Sequence, residues 1–136
     1  RQLEPRARLA AGRALAGAGA RAMIDLSDGL SGDAKRLSEE SGTLLGIEVA
    51  TLPLAAGLAE LAAAAERDPI ELAVSGGEDY ELLAALPAEN LSEAVSALAT
   101  IATPLTQIGE VGLGEGVELR LPGGRLLKTA GFDQLR

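Results

Sequence analysis

The chain contains no cysteine, no histidine and no tryptophan, and only one methionine, one tyrosine and one phenylalanine. Without cysteine there is no disulfide and no thiol nucleophile; without either residue there is no zinc cluster and no imidazole base. Any acid–base or metal chemistry therefore falls to carboxylates, hydroxyls, Lys or Arg. The absence of cysteine fits a cytoplasmic location, which is the expectation here. Positive charge is also scarce: twelve basic residues face twenty acidic ones, for a formal charge of −8. No basic stripe is present to neutralise a phosphate backbone, which argues against nucleic acid as a partner. No apolar run approaches the length of a membrane span, so no membrane partner is expected.

What remains is a chain of 136 residues, 47% hydrophobic and 24% charged. That is one domain's worth, enough to bury a sizeable core. It opens Arg-Gln-Leu-Glu-Pro, without an initiator methionine or a secretory signal. The expectation is one domain, spanning 1–136, cut from a longer polypeptide.

Apolar periodicity sets out the elements. Ala7, Ala10, Ala11, Ala14 and Leu15 recur at helical spacing until Gly17 and Gly19. Ala22–Leu26 reads as a short buried strand. A second helix follows from about Gly29, with Leu30, Ala34 and Leu37 on one face and Gly42 placed to close it. Leu44–Val49 reads as a strand, and Leu54, Leu58, Leu61, Ala62 and Ala65 as an amphipathic helix. Pro69–Val74 predicts a helical turn before a bend at Ser75-Gly76-Gly77. Tyr80–Leu86 is apolar at nearly every position, which predicts a central strand covered on both faces. Pro87 opens a helix carrying Leu91, Val95, Leu98 and Ile101. Val117, Leu119 and Leu121 then alternate with Glu118 and Arg120, and Pro122-Gly123-Gly124 predicts a hairpin turn into Arg125-Leu126-Leu127. The sum is an α+β domain, a mixed β-sheet with packed helices.

Two segments could carry chemistry. Asp25, Ser27 and Asp28 stand where an apolar strand gives way to a helix. Asp25 and Ser27, two apart, point to one side of an extended chain. Asp28 falls near the N-cap, beside backbone N–H groups without internal partners. Carboxylates there can hold Mg²⁺, and a helix N-terminus favours phosphate. The simpler reading is that Ser27 or Asp28 only caps the helix. Asp25 weighs against it, because an acid inside an apolar strand is costly without a partner. Asp33, one turn on, reads as a solvated or structural acid.

The second segment is Ser75-Gly76-Gly77-Glu78-Asp79-Tyr80-Glu81. Its glycines permit close approach to a ligand, or simply a tight turn with a solvated acidic edge. It is a poor match to a phosphate-cradling loop, since it has no lysine and three acids. The tail Gly131-Phe132-Asp133 holds the only phenylalanine, either as packing or as a stacking surface for a heterocycle.

Taken in order, Ile-Asp-Leu-Ser-Asp-Gly-Leu-Ser-Gly-Asp, Ser-Gly-Gly-Glu-Asp-Tyr-Glu-Leu and the closing Gly-Phe-Asp resemble the thiamine-monophosphate kinase family. The likeness covers essentially the whole chain, but only the C-terminal domain of that family, within the aminoimidazole ribonucleotide synthetase superfamily. Selenophosphate synthetase shares the domain plan but not the Gly-Gly-Glu-Asp-Tyr-Glu-Leu string. The resemblance implies transfer of the γ-phosphoryl group of ATP to thiamine monophosphate, giving thiamine diphosphate, with several Mg²⁺ ions assisting. It also implies Asp25 and Asp28 as Mg²⁺ ligands and Ser27 as an ATP contact. Glu78, with Asp79 next, would meet the substrate, and Phe132 would pack near the thiamine rings. Phosphoryl transfer rests on positioning and charge neutralisation, so lack of histidine is no obstacle. Metal ions would let an acidic surface face phosphates. The family's N-terminal domain, which carries most nucleotide and metal contacts and the homodimer interface, has no counterpart in this chain. The fragment alone is therefore expected to be catalytically silent. The competing expectations are another ATP-using member of the superfamily with a different acceptor, or a non-catalytic binding domain that kept the fold.

Overall fold

Small side chains at helical spacing build the first element. In the computed structural model, which describes residues 8–76 and 81–127, α1 runs Leu9–Gly17 and buries Ala11 and Leu15, one turn apart on one face. Gly19 then adopts φ 87°, a conformation that only glycine adopts freely. The strand β1, Ala22–Asp25, follows and pairs antiparallel with β3, Leu82–Ala85, Ala22 opposite Ala85 and Asp25 opposite Leu82. After a short 3₁₀ turn at Ala88–Asn90, α5 runs Leu91–Ala99. Ala11, Leu15, Ala18, Ala94 and Leu98 form one core between α1 and α5, with Met23, Leu82 and Ala84 packed against it.

A second core lies under a four-stranded sheet of order β4-β2-β5-β6. Its strands are β2 (Leu44–Glu48), β4 (Gly109–Gly112), β5 (Gly116–Arg120) and β6 (Leu126–Leu127). β2 pairs parallel with β5 and antiparallel with β4, and β6 closes the hairpin on β5. The predicted turn is present: Gly124 N–H donates to the Leu121 carbonyl at 3.0 Å, and Gly123 takes φ 86°. Pro at the second turn position and Gly at the third suit such a turn. The helices α2 (Leu30–Ser41) and α4 (Pro69–Ser75) supply Leu30, Ala34 and Val74 to a cluster with Leu45, Ile47, Val49 and Leu119. Burying an aliphatic side chain of this kind contributes about 1.5–3 kcal/mol. Asp68 caps α4, its Oδ1 accepting from Ile70 N–H at 2.7 Å and Glu71 N–H at 3.2 Å.

The class is α+β, as the sequence predicts, but the strands divide into two sheets instead of one. β3 is not a central strand: among the described residues it pairs with β1 alone, and it is half-buried at all four positions. Its unbroken apolar run has another cause. Leu82 and Ala84 face the helical core while Leu83 packs against the sheet core, so each face meets its own cluster. The helix predicted from Leu54 begins at Leu58, after Gly57 at φ 87°; in α3 (Leu58–Ala64) only Ala62 is buried, and Leu61 is 63% exposed. β4 has no clear sequence signature, because Gly109 and Gly112 interrupt any alternation. Gly109 is required there, since a Cβ would run into the carbonyl of Gly46 on β2. No helix among the described residues is long and apolar enough to cross a membrane.

Candidate functional site

Antiparallel pairing brings the end of β1 beside the start of β3. Leu26 N–H donates to the Glu81 carbonyl at 2.9 Å, extending the register in which Asp25 faces Leu82. The acidic turn after β1 and the last residue of the Gly-Gly-acid motif therefore share one end of the two-stranded sheet. The Glu81 carboxylate is itself engaged: Arg8 donates to its Oε1 at 2.6 Å, both side chains about one-third exposed.

The turn is held by a residue outside it. Asp33, on the first turn of α2, is wholly buried. Its Oδ2 accepts from Ser27 N–H at 2.9 Å and Asp28 N–H at 3.0 Å, and its Oδ1 lies 3.4 Å from Nη1 of Arg36. Arg36 reaches back to Asp28, Nη2 to Oδ2 at 3.0 Å. A buried carboxylate is tolerable only when its charge is answered by such donors. The sequence places Asp33 where this is possible: Gly29, at φ 98° and ψ 154°, turns the chain so that Leu26–Asp28 lie over the first turn of α2.

Several sequence expectations change. Neither Ser27 nor Asp28 caps α2: the N-cap is Gly29, with no side-chain cap bond. The Ser27 and Asp28 N–H groups point at Asp33 and are not free for a phosphate. Asp25 is exposed at the strand end, so it needs no buried partner and that argument for a ligand role falls away. Asp33 is structural as read, but buried instead of solvated. Sequence reading missed its hold on the turn and the bridging position of Arg36. The usable signal was an acid five residues after Asp28 with an arginine three further on.

Asp25 and Asp28 are exposed and Ser27 is half-buried. Among the described residues, no group of three acidic side chains is placed to hold a metal ion. Two exposed carboxylates suit Mg²⁺ in its common form, held by one or two carboxylates and completed by water and substrate phosphate. Glu78, Asp79 and Phe132 lie outside the described residues.

Comparison with known proteins places the chain. The model of the family "AIR synthase related protein, C-terminal domain" matches residues 2–122. Thiamine-monophosphate kinase of Halobacterium salinarum is 42% identical over 113 residues, covering 82% of this chain and 36% of its own length. The crystal structure of thiamine-monophosphate kinase from Stenotrophomonas maltophilia superposes with a TM-score of 0.78 at 29% identity, covering 92% of this chain and 38% of that one. AaThiL complexed with AMPPCP and TMP gives a TM-score of 0.64 at 35% identity, over 81% of this chain and 32% of that one. The chain spans about a third of the length of the curated relatives it matches. With nine-tenths of its length inside the family model and its fold shared with solved relatives, the chain belongs to the AIR synthase related family, C-terminal domain.

Proposed function

We propose that the chain is the C-terminal, substrate- and metal-contacting domain of an ATP-dependent kinase converting thiamine monophosphate to thiamine diphosphate. The rest of the longer polypeptide would supply most nucleotide and metal contacts and a homodimer interface, in the cytoplasm. One observation carries the reading: the Asp25–Asp28 turn and the entry to β3 meet at one end of the β1–β3 pair. The relatives named thiamine-monophosphate kinase support the reaction. The neighbour complexed with AMPPCP and TMP supports an ATP-like donor and thiamine monophosphate as the ligands.

In this reading Asp25 and Asp28 hold Mg²⁺, which would neutralise phosphate charge between donor and acceptor. Ser27 sits between them, positioned to touch ATP. Asp33 fixes the backbone that carries Ser27 and Asp28, so their side chains project from a rigid turn. Glu78 and Asp79 would meet the cationic acceptor and Phe132 would pack on its rings.

The test is titration of the longer polypeptide with Mg²⁺, a non-hydrolysable ATP analogue and thiamine monophosphate, in wild type and Asp28→Asn. Metal-dependent binding should weaken at least tenfold in the variant, while the isolated 136-residue chain forms no thiamine diphosphate. Unchanged metal-dependent binding in Asp28→Asn, or clear turnover by the isolated chain, refutes the reading.

A further inference from the structure

Arg36 pairs with one oxygen of a carboxylate in the proposed metal site. Its Nη2 lies 3.0 Å from Asp28 Oδ2, and its Nη1 lies 3.4 Å from the buried Asp33 Oδ1. The Arg36 side chain is 57% exposed and that of Asp28 47% exposed, whereas Asp33 is fully enclosed. One end of Arg36 is thus tied to an immovable post and the other rests on a solvent-facing acid. A guanidinium presents several donors in a fixed fork, so it can release one acceptor and keep another.

We propose that Arg36 is the resident counter-ion of Asp28, with which a divalent cation must compete, and that Asp33 keeps Arg36 beside the site when the cation enters. This rests on the reading of Asp25 and Asp28 as cation ligands. The guanidinium and a divalent cation bring positive charge to the same carboxylate, so the two compete for it even where separate lone pairs serve them. Arg36 therefore sets the concentration at which the cation enters and holds the Asp28 side chain in place before it arrives. Arg36 is a positioning residue in this scheme, because it acts through Asp28.

The rest of the helix supplies the control. Lys35 is the neighbouring cation, also exposed, but it lies 3.7 Å from Glu39 and belongs to another pair. Removing either residue changes the net charge by the same amount, while only Arg36→Gln frees Asp28.

The experiment is a Mn²⁺ titration of the ¹⁵N-labelled longer polypeptide, following paramagnetic broadening of the Asp25–Gly29 amide signals. Wild type, Arg36→Gln, Arg36→Lys and Lys35→Gln are compared. An exposed ion pair of this kind predicts that Arg36→Gln lowers the half-broadening Mn²⁺ concentration about two- to fivefold. Arg36→Lys should restore most of the wild-type value, and Lys35→Gln should move it little. A variant that merely loosened the turn would bind the cation less well, so the direction separates the two roles. An unchanged or higher midpoint in Arg36→Gln, or an equal fall in Lys35→Gln, overturns the proposal. Broadening of none of these amides in wild type or Arg36→Gln would instead overturn the cation-ligand reading, and the proposal with it.

Discussion

Arg36 and Arg120 both gather carboxylates, but the partners differ in burial. Arg36 bridges Asp28 and Asp33 where β1 gives way to α2, and one of its two partners is wholly buried. Arg120 lies across the four-stranded sheet between Glu110 at 3.0 Å, Glu118 at 3.1 Å and Glu48 at 3.5 Å, and Glu110 is 72% exposed. Hydrogen bonds with Glu110 and then Glu118 raise the Arg120 pKa above its ordinary value. A raised arginine pKa leaves the group charged throughout the neutral range, so its contribution is present there and is lost only under strong alkali. More partners do not make the Arg120 group the stronger one. Asp33 also answers two backbone N–H groups, and removing it would take away their acceptor. The buried Asp33 makes the first group decide a backbone path, while the solvent-facing Glu48 and Glu110 leave the second to balance charge across three strands.

The comparison is broken most directly at Asp33. Asp33→Ala should lower stability by roughly 2–4 kcal/mol in urea unfolding, because Ser27 and Asp28 N–H lose their acceptor. Asp33→Asn should cost less, since one amide oxygen can still receive both N–H groups. A loss within about 0.5 kcal/mol of wild type for Asp33→Ala, the error of an ordinary surface change, would mean that the clasp holds nothing. Arg120→Gln comes second. Its urea midpoint should fall by less than that of Asp33→Ala, and the difference from wild type should vanish near ~1 M NaCl, where surface charges are screened. A salt-independent loss would show that Arg120 works by packing instead. Gly46→Ala is the smallest and the sharpest. A Cβ at Gly46 would lie 2.6 Å from Nη2 of Arg120, which is the movable end of a long side chain. The guanidinium should swing aside for about 0.5 kcal/mol; a cost above about 2 kcal/mol would mean that strand and side chain are locked together.

Parts of this were legible in the residues themselves. The helices ending at Gly17 and Gly42, the strands at Ala22 and Leu44 and the turn at Pro122-Gly123-Gly124 all follow from local periodicity and turn chemistry. The family was also legible, because three motifs recur in a fixed order. The site was legible only as a set of residue types. Asp28 looked like a helix cap because it precedes an apolar helix, yet Gly29 takes the cap position and Asp33 takes the N–H groups. Leu61 looked like a core position from its spacing and is exposed, because period tells which residues share a face but not whether anything covers that face.

The sequence alone determined the class of elements, their approximate ends and the acidic, histidine-free chemistry of the site. These depend on neighbours three or four positions away, which the chain carries in its order. Tertiary structure decided that Leu26 meets Glu81, that the strands form two sheets, and that Arg36 stands on Asp33 beside Asp28. Those outcomes turn on the direction in which Gly29 sends the backbone and on which residues become enclosed. A carboxylate's role follows from whether water can reach it, and only the folded chain settles that.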